Sequence, residues 1–256
     1  MIPAILHQSW ETADVPAHLV PFQRSIREKN PGLDIRFYDS RARRAYVAQH
    51  CPELLPTFDT LKLGVAEADF WRMVAVYVDG GFYADLDMEC LRPIDVFRAT
   101  DTAVFTIEAQ LMPQRQRELG YEQPFQLATC MFGAPPRHPF FKALIDRMVE
   151  NVARRPIVST DDVEDATGPK ALTRLFYALK PRDVGVLEQI YWVPPGLYAG
   201  KPLLSRNIHF CHHFDGAWKP KRAKPPLKRQ IIERNRLPNP FPRGLWHDFG
   251  WSAGGR

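Results

Sequence analysis

No stretch of the 256 residues approaches the ~20 consecutive apolar residues that a membrane-spanning helix needs. The opening, MIPAILHQSWE, has neither the basic start nor the long apolar run of a secretory signal. Both absences point to the cytoplasm. Cysteine is scarce and scattered: Cys51, Cys90, Cys130 and Cys211 form no Cys-x-x-Cys pair, which argues against a disulfide framework and fits reduced thiols without a functional role. No internal repeat or low-complexity tract occurs, so repeat and fibrous architectures are excluded.

What is present is enough apolar material, 45% of the chain, for the core of one large domain. The net charge of +5 is concentrated rather than spread. Residues 219–236 hold eight Lys or Arg against one Glu, so the remainder is slightly acidic. This segment suits an anionic lipid surface or an acidic glycan, or it is a solvated, proline-broken tail. No reading motif or aromatic interleaving accompanies the charge, so nucleic acid is not expected as a partner. The organisation expected is a catalytic domain over residues 1–218 and a basic appendage, rich in Pro and aromatics, over 219–256. In that appendage Trp246 and Trp251 either sit at a bilayer interface or pack back on the domain.

Along the chain, Ile2–Gln8 reads as a buried strand running into His7-Gln8-Ser9-Trp10. A helix over 17–29, a strand over Leu33–Tyr38 and a helix from Ala42 to Gln49 follow. This alternation predicts an α/β domain, a Rossmann-like, mostly parallel sheet flanked by helices. Thr102–Ile107 and Phe125–Phe132 read as strands, with 108–124 as a polar loop over the active site. Phe140–Asn151 reads as an amphipathic helix. Residues 156–167, acidic at Asp161, Asp162, Glu164 and Asp165, read as a solvated loop. Thr167-Gly168-Pro169 then opens a helix over Lys170–Leu179, either as an ordinary cap or as a hydroxyl- or anion-binding start.

The most informative stretch is 66–93. Phe70, Val74, Tyr77 and Val78 recur at helical spacing, and Asp69 and Arg72 are neighbours on a flank of that helix. Gly80-Gly81 breaks it. In the following segment Tyr83, Asp85 and Asp87 alternate against Phe82, Ala84, Leu86 and Met88, so a strand places both carboxylates on one face, about 6.6 Å apart. Two such carboxylates repel unless a cation lies between them. Oxygen ligands favour Mg²⁺, Mn²⁺ or Ca²⁺ over zinc or copper, and of these Mg²⁺ or Mn²⁺ bridges carboxylates to a diphosphate. A second informative stretch is 207–220, where His209, Cys211 and His213 share a strand face. No second ligand cluster at zinc-finger spacing accompanies them, so a structural zinc site is discounted.

Ala68-Asp69-Phe70-Trp71-Arg72 followed by Gly80-Gly81-Phe82-Tyr83-Ala84-Asp85-Leu86-Asp87 resembles the sugar-binding core of the family-32 glycosyltransferases, a DXD family that includes fungal Golgi mannosyltransferases and bacterial polysaccharide transferases and is similar to cytotoxin glucosyltransferase domains. The resemblance implies a GT-A fold and a metal-dependent, retaining transfer of a hexose from a nucleotide diphosphate sugar, UDP-hexose or GDP-mannose, to a saccharide or lipid-linked saccharide in polysaccharide or glycolipid synthesis. It implies that His7, Gln8 and Trp10 lie in the donor pocket, with Tyr83, Gly216, Trp218 and Lys219. It further implies that Asp69 and Arg72 hold sugar hydroxyls, that Asp85 meets the ribose and helps the metal, and that Asp87 binds Mn²⁺ or Mg²⁺ with His213, His212 being the alternative. Ala217 stands where the family has serine before Trp218. A peripheral position on the inner membrane face would follow from the basic segment. The rivals are a Mg²⁺-dependent aspartyl-nucleophile phosphatase and a sugar-nucleotide-binding module without turnover.

Overall fold

A computed structural model describes residues 1–193, 207–216 and Trp246. Its strands are β1 (Ile5–Ser9), β2 (Asp34–Tyr38), β3 (Gly81–Ala84), β4 (Met88–Cys90), β5 (Ala103–Gln110), β6 (Phe125–Leu127), β7 (Met131–Ala134), β8 (Val184–Leu187) and β9 (Phe210–His212). Its α-helices are α1 (Val20–Lys29), α2 (Ser40–His50), α3 (Leu55–Phe58), α4 (Gly64–Asp79), α5 (Pro113–Leu119), α6 (Pro139–Arg154), α7 (Thr160–Ala166) and α8 (Pro169–Leu179). A seven-stranded sheet runs in the order β2-β1-β3-β7-β5-β6, with β8 on β5; β4 and β9 form a separate pair. Neighbours β1–β2, β1–β3 and β5–β8 are parallel, while β3–β7, β5–β7 and β5–β6 are antiparallel. The expected α/β sheet flanked by helices is what forms. Among the described residues no helix is long and apolar enough to cross a membrane.

The pleat divides the core in two. Tyr83 and Phe105 turn to the face covered by Phe70, Trp71, Phe141 and Phe176 of α4, α6 and α8. Their neighbours Phe82 and Val104 turn to the opposite face, with Ile26, Phe97, Trp192 and Phe210. Alternate side chains on a strand must face opposite ways, so a sheet with both faces covered is apolar throughout. The Gly80-Gly81 turn works as the sequence implies: both have positive φ, and a Cβ on Gly81 would lie 2.6 Å from the Ile5 carbonyl oxygen. Without a side chain there, β3 closes against β1.

The expected single strand over Phe82–Met88 is instead broken. Asp85 donates its N–H to the Cys130 carbonyl at 2.8 Å, then the chain turns through Leu86 and Asp87, with Met88 N–H returning to the Asp85 carbonyl at 3.2 Å. The next strand, β4, leaves the main sheet and pairs with β9. The strand expected over Phe125–Phe132 breaks in the same place, at Ala128–Cys130, opposite the first break. Periodicity alone does not show either interruption, because the side chains on both sides of each break are still apolar and buried.

Two further expectations change. The acidic run is a helix rather than a loop, because Ser159 and Asp162 form a reciprocal capping box that satisfies the first turn of α7. The polar stretch 108–124 contains α5, entered at Pro113 and ended at Gly120. Of the appendage only Trp246 is described; it bridges to Leu187 and its ring lies over Gly185. Residues 219–236 and Trp251 lie outside the described residues, as do Trp218 and Lys219.

Candidate functional site

The breaks after β3 and before β7, the end of β1, the middle of α4, the α7–α8 corner and the segment after β9 converge on a cleft of about 470 Å³. At its centre is a network that the sequence anticipates in part. Arg72 pairs with Asp69 one helical turn earlier, reaches Asp85 Oδ1 at 3.1 Å, and donates to the Thr129 carbonyl at 3.0 Å. Tyr83 OH donates to the same Asp85 oxygen at 2.6 Å, and the guanidinium lies 5.0 Å from the Tyr83 ring centre. Asp69 is also met by Thr167 Oγ1 at 3.4 Å. Thr167 is fully buried, so it supports Asp69 from behind instead of facing the cleft.

Asp87 is wrapped by the segment that follows β9. Its carboxylate pairs with His212 Nε2 at 3.2 Å and accepts the Asp215 N–H at 2.9 Å, while its carbonyl accepts the His213 N–H at 3.0 Å. Ligand atoms of Asp85, Asp87 and His212 lie within 4.8 Å of one another. The register explains the choice of histidine: Met88 opposes His212, so His212 enters the cleft beside Asp87. His213 has passed the end of the strand, stacks on Phe22 at 4.2 Å and bonds Glu89 at 2.8 Å. The structure thus brings His212, and not the expected His213, to the two carboxylates. The carboxylate arrangement also differs from the expected strand, since a turn and not a pleat brings the two together.

The electrostatics match a cation site. Burial and the nearby Asp87 push the Asp85 carboxyl above its ordinary value, against the pull of Arg72. Burial would raise Asp87 too, but His212 and the Asp215 N–H outweigh it and hold the carboxyl low. Burial alone would lower the His212 pKa; Cys130 and Asp87 raise it well above the usual imidazole range. Two carboxylates and one imidazole form a donor set that a divalent cation could occupy.

A ligating imidazole must be neutral, so a bound cation displaces the His212 proton and apparent affinity should rise with pH. His212→Ala should weaken Mn²⁺ binding at least about tenfold, and His213→Ala much less. Calorimetric titration of Mn²⁺ into both variants at several pH values checks this.

Residues 16–104 match the family model described as the glycosyltransferase sugar-binding region containing the DXD motif. This stretch, about a third of the chain, is similar to the sugar-binding region of the DXD glycosyltransferases. The motif that names the family is Asp85-Leu86-Asp87, at the turn between β3 and β4. Fission yeast inositol phosphoceramide mannosyltransferase 2 is 26% identical over 180 residues, covering 70% of this chain and 48% of that protein, so the chain spans about half the length of this relative. An uncharacterized glycosyltransferase of Acanthamoeba polyphaga mimivirus is 25% identical over 229 residues, 86% of this chain and 85% of that one. Among solved structures, the galactosyltransferase LgtC in complex with donor and acceptor sugar analogues superposes with a TM-score of 0.50 at 17% identity, over 81% of this chain and 86% of its own, a likeness of fold. The fold is of the GT-A type.

Around this cleft several expected donor residues take other places. His7 and Gln8 are fully buried and do not line the cleft. His7 Nε2 bonds the Gly80 carbonyl at 3.1 Å, and burial lowers its pKa to about 4, so it is a neutral core residue that ties β1 to the glycine turn. The reason is topological: β1 lies between β2 and β3, and only its end reaches the ligand side. Trp10 does line the cleft, with Ser9, and Gly216 lines the far rim.

Sequence reasoning missed Arg43. It is fully buried in α2 and binds Ser9 Oγ and the Trp10 carbonyl at 2.9 Å and Glu11 at 3.0 Å, so it fixes the end of β1. The one signal available was a lone arginine on the apolar face of an amphipathic helix. Thr129 and Asp215, which a strand break and a loop place, were missed as well, as were Glu108 and Gln126 on the paired strands β5 and β6.

Proposed function

We propose that this chain is a metal-dependent, retaining hexosyltransferase that moves a sugar from a nucleotide diphosphate donor to a saccharide or glycolipid hydroxyl. The observation that carries the reading is the meeting of Asp85, Asp87 and His212 in one cleft with the Asp69–Arg72 pair. Asp85, Asp87 and His212 would hold Mn²⁺ or Mg²⁺, which when bound supplies positive charge for the departing diphosphate. Asp69 and Arg72 would orient the sugar through its hydroxyls, and Trp10, fixed by Arg43, would cover the base. Tyr83 and Arg72 hold Asp85 in place, so its carboxylate need not reorganise when charge develops. The acceptor oxygen would attack on the face that the diphosphate leaves, and a diphosphate oxygen would take its proton.

The fungal relative's name, an inositol phosphoceramide mannosyltransferase, supports GDP-mannose as one donor and a glycolipid as one acceptor class to try. A cytoplasmic site of action at the inner membrane face is part of the same proposal, resting on the basic segment 219–236. Incubation with UDP-hexoses and GDP-mannose, Mn²⁺ and an acceptor panel, followed by NMR of the product, tests the reaction. An α-linked product from an α-linked donor is expected. A β-linked product would overturn retention, and donor binding without either transfer or hydrolysis would favour the non-catalytic module.

A further inference from the structure

The cleft is lined by carboxylates beyond those of the cation cluster, Asp69 and Glu164 among them. Asp69 and Glu164 stand on the two sides of the α7–α8 corner: a Cβ on Gly168 would lie 2.9 Å from Glu164 Cα and 3.4 Å from Asp69 Oδ2. Glu164 lines the cleft, whereas its partner Lys170, only 8% exposed, sits behind it with Nζ 3.2 Å from Glu164 Oε2. A ligand therefore meets the carboxylate and not the ammonium. The cleft's arginines are already paired, Arg43 with Ser9, Trp10 and Glu11, and Arg72 with Asp69 and Asp85, so a further carboxylate would have to compete for them.

A fixed carboxylate accepts charge-assisted hydrogen bonds from hydroxyls and repels a carboxylate brought against it. Resting on the transferase reading above, we propose that Glu164, anchored by Lys170, is a specificity residue of the sugar subsite that with Asp69 reads hydroxyls of the transferred ring and restricts the donor to neutral hexoses, excluding uronic acids. The selection works in both directions: the hexose gains a hydrogen bond, and the uronate adds a negative charge to a wall with no unengaged cation among the described residues.

The test measures binding in Mn²⁺ of UDP, UDP-glucose and UDP-glucuronate, with GDP, GDP-mannose and GDP-mannuronate in parallel. The hexose form should bind at least about tenfold tighter than the uronate of the same base, a difference of about 1.4 kcal/mol. Glu164→Gln should weaken the hexose and strengthen the uronate, narrowing the ratio at least about threefold. Glu164→Ser, which draws the side chain back from the wall, should shift the ratio the same way and serves if the Gln variant does not fold. Nucleoside diphosphate binding with no hexose–uronate discrimination, or discrimination untouched by both substitutions, would sink this inference alone. Failure of both nucleoside diphosphates to bind would sink it together with the transferase reading.

Discussion

Asp87→Asn should abolish metal-dependent donor binding and lower transfer by roughly a thousandfold, the scale of losing a charge-stabilising group in a buried site. The substitution is nearly isosteric, so the Asn amide oxygen can still accept the Asp215 N–H that Asp87 accepts at 2.9 Å, and the backbone bond from His213 persists. The fold should survive. The charge does not: His212 loses the carboxylate 3.2 Å away that helps keep its pKa high, and a cation loses one of its two hard ligands. Donor titration with and without Mn²⁺, alongside a melting curve, separates the two effects. Wild-type turnover in the variant would show that Asp87 is structural.

The second large effect is on stability. Arg72 is buried, with 7% of its side chain exposed, and is the shared counter-ion of Asp69 and Asp85. Arg72→Met fills the volume but leaves two carboxylates uncompensated, at a cost of about 3–5 kcal/mol. The raised Asp85 pKa shows how poorly that position tolerates charge even with Arg72 present. Without the guanidinium the Asp85 carboxyl should shift further up. Its protonation then relieves part of the strain, so the deficit measured by urea denaturation should be largest near neutral pH and shrink as pH falls toward that raised value. Adding Asp69→Leu should recover part of the stability but none of the donor binding, since the sugar-orienting pair is then gone. An Arg72→Met variant as stable as wild type at pH 7 would contradict the network.

Much of this site was legible because its residues are close in sequence. Asp69 and Arg72 are a helical turn apart, Gly80-Gly81 declares the reversal, and Asp85 and Asp87 flank one residue. The alternating pattern predicted the shared face for the wrong reason, since a strand break and not a pleat joins the carboxylates. What decides His212 over His213 is the antiparallel register of β4 with β9, a pairing between segments more than a hundred residues apart. No local pattern encodes that register, and both histidines suit the family motif equally. His7 was misplaced because a polar residue near a strand end reads as ligand-facing, whereas its strand is central and both of its faces are covered. Arg43 and Glu164 reach the site from helices whose packing angle only the assembled sheet sets.

Calorimetric titration of UDP-hexoses and GDP-mannose into the wild-type chain, with Mn²⁺ and with the metal chelated, tests the central claim most directly. One nucleotide sugar should bind, and chelation should remove at least about tenfold of its affinity. Binding of equal strength with and without metal, or no binding by any donor, would contradict it.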